Sequence, residues 1–186
     1  MTIDDLHKQY ASYTVEVKRL IHHDLPKILG NLAVSLFKKN FLNESFFGEK
    51  WKPSKRRNGV GTSGQRRTLT GTGDLGRSIQ YVSDDASVTI FSDLEYAKVH
   101  NEGGVTHPRV TPKMKRFAWA MFYKNGGSGK KASVLTEEAQ KWKSIALTKE
   151  KRLTVRIDRR QFLGEHKELE DAVRNKIQEN LDQLIK

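Results

Sequence analysis

Residues 69–104 read LTGTGDLGRSIQYVSDDASVTIFSDLEYAKVHNEGG, and the reading of this stretch decides the fold. It opens on a Gly/Thr turn. Ile79 and Tyr81 then alternate with Gln80 across residues 78–83, and Val88 and Ile90 alternate with Thr89 across residues 87–91. A period of two describes half-buried strand, and Asp84-Asp85-Ala86 between the runs is turn chemistry. An antiparallel hairpin is therefore expected. Residues 94–100 (LEYAKVH) form either a short helix or a further strand, stopped by Gly103-Gly104.

Upstream of this unit the period lengthens. Leu6, Tyr10, Tyr13, Val17, Leu20 and Ile21 recur at steps of three and four, the spacing of an amphipathic helix. His22-His23-Asp24 interrupts it. Asp24 can cap a second helix with Pro26 in its first turn, where the missing N–H costs little. That helix would place Leu25, Ile28, Leu29, Leu32 and Leu36 on one stripe as far as about Phe41, weakened locally by Gly30. A helix pair, or one long bent helix, is expected. Residues 43–68 are rich in Gly, Lys, Arg and Ser and predict a long, mobile, basic loop.

Downstream, Pro112 opens a third helical pattern over 112–124, with Met114, Phe117, Ala118, Met121 and Phe122 on one face. NGGSGKK breaks it. Residues 135–147 are partly helical in pattern, with Trp142, Ile145 and Ala146 as packing candidates, and Leu153, Val155 and Ile157 alternate as a strand. From Glu168 the positions Leu169, Ala172, Val173, Ile177, Leu181 and Leu184 keep a close helical period. These readings give an α+β fold: a small antiparallel β-sheet packed by a long N-terminal helix (or helix pair) and a C-terminal amphipathic helix. A single domain over 1–186 is expected, with the basic loop at 43–68 and an inserted helical and loop region at 105–152.

Composition limits the function. No run approaches the roughly 18–20 apolar residues of a membrane span, so no membrane association is expected. The N-terminus carries two acids and no apolar core, which is unlike a secretory signal. With no cysteine, disulfides, thiolate metal sites and cysteine nucleophiles are excluded. The 34 Lys and Arg outnumber the 22 Asp and Glu, for a net charge of +12. Lys50, Lys52, Lys55, Arg56, Arg57, Arg66 and Arg67 make the densest basic surface. Such a surface attracts phosphate backbones or acidic partners, or simply keeps the chain solvated.

Catalytic chemistry finds no support. None of the six histidines makes an HExxH or a histidine–carboxylate pair at ligand spacing, so no metal is expected. His100-Asn101-Glu102 lacks the separated ligands of a metal nuclease, and His100 instead suits a packing or hydrogen-bonding corner before the glycines. GTGDLG at 71–76 matches GxGxxG in spacing, but it follows a basic loop and precedes a strand, so no nucleotide cofactor is expected.

The order of elements resembles the phage virion morphogenesis, or tail completion, family of small head–tail joining proteins. The resemblance lies in a helical N-terminus, the Trp element Trp51-Lys52-Pro53, Leu69, and the turn-strand Thr72-Gly73-Asp74-Leu75-Gly76-Arg77-Ser78-Ile79. It continues through Tyr96-Ala97-Lys98-Val99-His100-Asn101-Glu102-Gly103-Gly104 and Arg160-Gln161-Phe162-Leu163-Gly164, and ends in a final helix. Gln161 and Asp158 stand where the pattern has prolines, and residues 105–152 are longer and more basic than the pattern.

The resemblance implies a non-enzymatic assembly role in tail completion or head–tail joining. It also implies a place in the host cytoplasm during assembly and then in the virion, at the tail or the head–tail junction. The implied partners are a connector, tail tube or tail terminator, with self-association into a homo-oligomer such as a ring. Trp51, Pro53, Tyr96, His100, Gly103, Gly104, Arg160, Phe162, Leu163 and Gly164 become fold-defining or partner-contacting candidates. The alternative is a DNA-binding protein whose basic loops touch the genome at the connector.

Overall fold

The computed structural model describes residues 2–53, 67–127 and 135–185. Helix α1 (Ile3–Arg19) begins with a capping box. The Thr2 hydroxyl accepts from the Asp5 amide at 3.2 Å, and the Asp5 carboxylate accepts from the Thr2 amide at 2.9 Å. The helix then passes without a break through one π-turn (Leu20–Asp24) into α2 (Leu25–Asn43). Of the two forms expected, a helix pair or one long helix, the chain takes the continuous one.

Asp24 does not act as the expected cap, because it is itself helical and its side chain bonds no α2 amide. Its carboxylate accepts instead from His23 at 2.8 Å. Pro26 explains the wide turn. It has no N–H to give the carbonyl four residues back, and the Leu25 amide reaches past that position to the Leu20 carbonyl.

The hairpin is where the alternation put it. Strands β3 (Ile79–Asp84) and β4 (Ser87–Ser92) pair antiparallel, Tyr81 opposite Ile90, around Asp85 and Ala86, the latter at φ 50°. It packs across α2. A Cβ on Gly30 would lie 2.3 Å from the Tyr81 ring, so this glycine is the place where the hairpin approaches the helix. A four-residue helix α3 (Asp74–Arg77) precedes β3 and buries Leu75.

Part of the expected loop over 43–68 is ordered core. Glu44 ends α2 in the left-handed region at φ 49°. Strands β1 (Ser45–Phe46) and β2 (Glu49–Lys50) then form a short ladder that buries Phe46 and delivers Trp51 to the interior. Phe46 and Trp51 are spaced by a turn rather than by a period, so no hydrophobic periodicity marks them as core. The central cluster is Phe37 and Phe41 of α2 with Phe46, Trp51, Leu75, Ile79 and Phe162. Phe41 meets Trp51 and Phe162 at ring-centroid distances of 5.4 and 5.2 Å.

Residues 94–100 resolve as helix, α4 (Ala97–Glu102), after which Gly104 opens β5 (Gly104–Thr106). β5 pairs antiparallel with β6 (Val155–Ile157), so the described strands form three two-stranded ladders rather than one sheet. Between β5 and β6 the chain makes α5 (Pro112–Lys124) and α6 (Glu137–Leu147), capped by Thr111 and Thr136. These two helices pack on each other around their own cluster of Phe122, Leu135 and Ala139. Phe117, expected on the packed face of α5, is 46% exposed. Helix α7 (Lys167–Ile185) closes the chain and lies along α2, its apolar positions only half-buried.

Candidate functional site: a side-chain clamp and a basic insert

The residues singled out by their order in sequence meet in space. Three segments far apart in the chain, 51–52, 96–104 and 158–164, are locked at one junction. The Trp51 indole N–H donates to the Gln161 carbonyl at 2.7 Å. Arg160 is buried, its Nε donating to the Lys52 carbonyl at 2.9 Å and its amide to the His100 carbonyl at 2.9 Å. Asp158, one of the two departures from the proline pattern, stands 3.9 Å from the Arg160 guanidinium and supplies its counter-charge. Phe162 is wholly buried and Leu163 half-buried against the same core.

Asn101 is the residue that sequence reading missed. Its Oδ1 accepts from the amides of both Phe162 and Leu163, each at 2.9 Å. A side-chain acceptor for two consecutive amides substitutes for a strand partner, and nothing in residue order announces it. Gly103 follows at φ 76°, and a Cβ there would sit 3.0 Å from the Arg159 backbone nitrogen. The position therefore needs glycine both for its conformation and for the closeness of the 158–164 segment. A Cβ on Gly104 would lie 3.3 Å from Val99, and one on Gly164 would lie 2.5 Å from the Gln161 side chain.

His100 fills the corner expected of it. Tyr96, half-exposed, stands edge-on to its ring at 6.0 Å. The Nδ1 of His100 is buried without a hydrogen-bond partner. Burial, with the Arg160 charge adding to it, pushes the imidazole below its usual range. Pro53 is exposed beside the junction. The arrangement presents a mechanical lock, with no nucleophile beside a base. Among the described residues no three His, Asp or Glu are grouped so as to hold a metal ion.

Of the seven cations of the expected basic surface, three lie among the described residues. The Lys50 ammonium donates to the Asn43 carbonyl at 2.9 Å, and the Arg67 guanidinium reaches the Leu42 carbonyl. Both carbonyls belong to the C-terminal end of α2, so these two cations cap a helix. Lys52 is exposed, while Lys55, Arg56, Arg57 and Arg66 lie outside the described residues.

The segment that runs from β5 to β6 is strongly basic as well. From Gly104 to Ile157, both strands included, there are 13 Lys and Arg against 3 acids, a net of 13 − 3 = +10 out of the chain's +12. Arg109 and Arg152 face each other directly across the stem, where the Val110 amide donates to the Lys151 carbonyl at 2.9 Å. Like charges opposed in this way destabilise a ladder. Among the described residues no cation of the insert is ion-paired. Phe117 and Tyr123 are exposed on α5 amid Lys113, Arg116 and Lys124.

Compared with known proteins, residues 38–182 match the model of the phage virion morphogenesis family. The match includes the clamp and the insert, and leaves α1 and the π-turn outside. No curated protein and no solved structure matches the chain.

Proposed function

Because the chain belongs to the phage virion morphogenesis family, we propose that within phage assembly it acts in tail completion or head–tail joining, as a structural component rather than an enzyme. The family match is the observation that carries this reading. The clamp supports it: a junction that fixes three distant segments yields a rigid body able to hold one geometry against a neighbouring ring of subunits. The partners proposed are a connector, tail tube or tail terminator, met in the host cytoplasm and retained in the virion. The test is a phage in which this gene is silenced, viewed by electron microscopy. Filled heads and tails that accumulate unjoined are the expected result. Intact infectious particles would remove the proposal.

The insert favours a second activity, contact with DNA at the junction. A segment with a net charge of +10 and no ion pair among its described residues gains by releasing counterions from a phosphate backbone. Binding to random-sequence duplex DNA should weaken steeply with salt. The double variant Lys113→Glu, Arg116→Glu should bind several-fold more weakly with a shallower salt slope. Unchanged binding in that variant would dispose of the DNA reading and leave the assembly role standing.

A further inference from the structure

Helix α1 is amphipathic, and its apolar stripe stays uncovered among the described residues. Ile3, Leu6, Tyr10 and Tyr13 are 77%, 53%, 71% and 41% exposed, and none of its residues is buried. It cannot fold back onto its own body, because it continues directly through the π-turn into α2. Where α1 begins to leave the body, an apolar groove of about 500 Å³ opens between α2, the β3–β4 hairpin and α7. Leu29, Val88, Ile90, Val173 and Ile177 form its floor and walls.

The two surfaces match in length and charge. The groove follows α2 from Ile21 to Ala33 and α7 from Leu169 to Leu181, about 18 Å at helical rise. The α1 stripe from Ile3 to Val17 spans about 21 Å. The last turn of α1 carries Lys18 and Arg19. The groove ends at the hairpin turn with Asp84 and Asp85 beside the lining residue Ala86.

The geometry points to a second copy of this chain as the occupant. Its α1 lies in the groove with Lys18 toward Asp84, since Arg19 is already paired with Asp24 and Asp85 with His22, which runs it antiparallel to the resident α2. The same contact then forms in the other direction about a two-fold axis, so that both stripes and both grooves are covered at once. This specifies the self-association in the assembly reading, and the surfaces that carry it do not depend on that reading.

Light scattering of the full chain should give the mass of two copies. Leu6→Asp with Tyr10→Asp, and separately Val173→Asp with Ile177→Asp, should each halve it while circular dichroism keeps its helical signal. Because the chain has no cysteine, a mixture of the Tyr10→Cys and Ile177→Cys proteins offers a check that does not depend on disrupting α7. Mild oxidation should give the mixed cross-linked product. A wild-type chain that stays monomeric, an assembly that survives the α1 variant, or a mixture yielding no mixed product would overturn the inference. A larger assembly lost in both variants would keep the contact and overturn its two-fold arrangement. Incorporation of the protein into particles, assayed separately, reads the assembly role whatever the outcome here.

Discussion

A single amide side chain sets the strength of the clamp. Replacing Asn101 with Ala leaves the Phe162 and Leu163 amides without their acceptor in a half-buried site. The expected loss is about 2–3 kcal/mol, read by urea denaturation, with Asn101→Asp retaining most of the stability because a carboxylate accepts both bonds. His100 gives the junction a pH dependence. Its folded form holds a proton more weakly than the unfolded chain does. Its contribution is therefore complete above the ordinary imidazole value, about 6.5, and is lost as the pH falls through that value toward the lowered folded one. Melting temperature should decline across that window in wild type and decline less in His100→Phe. The resemblance to the family's motifs located His100, Gly103, Arg160 and Phe162. Asn101 was hidden because its work is done on a segment some sixty residues away.

At the level of elements, the meeting of α2 with the β3–β4 hairpin depends on a missing side chain. Gly30→Ala should destabilise by about 1–3 kcal/mol as the added methyl drives Tyr81 off its seat. That is the opposite of what helix propensity alone would give, so differential scanning calorimetry decides between the two. The same contrast shows what was legible in the sequence. The helices and the hairpin were readable because each repeats a period over many residues. The π-turn was not, since Asp24 and Pro26 carry every mark of a helix start and only the continuous packing of Leu20 and Leu25 keeps the chain helical. The β1–β2 ladder escaped too: two-residue strands have no period to detect. The partition into three ladders depends on which strands meet, and alternation within a strand is silent about that.

For the whole molecule, the positive charge and the apolar core occupy different parts of the chain. Residues outside Gly104–Ile157 are close to neutral, while the insert holds its own small cluster and nearly all the net charge. The sequence displayed both the charge and the inserted helices, but not that Lys50 and Arg67 meet the carbonyls at the end of α2. The clamp has a kinetic corollary. Trp51 bonds a residue 110 positions later, and Arg160 one 108 positions earlier. Contacts of such separation form late and slow the search. A nascent chain therefore has no closed core until its last quarter has left the ribosome, since Phe162 is the wholly buried ring against which Phe41 packs. A chain truncated before Arg160 should remain protease-sensitive and bind a hydrophobic dye, where the full chain resists. Synthesis would then impose its own timing: an unfinished copy lacks the formed surfaces with which to enter, and poison, a growing particle.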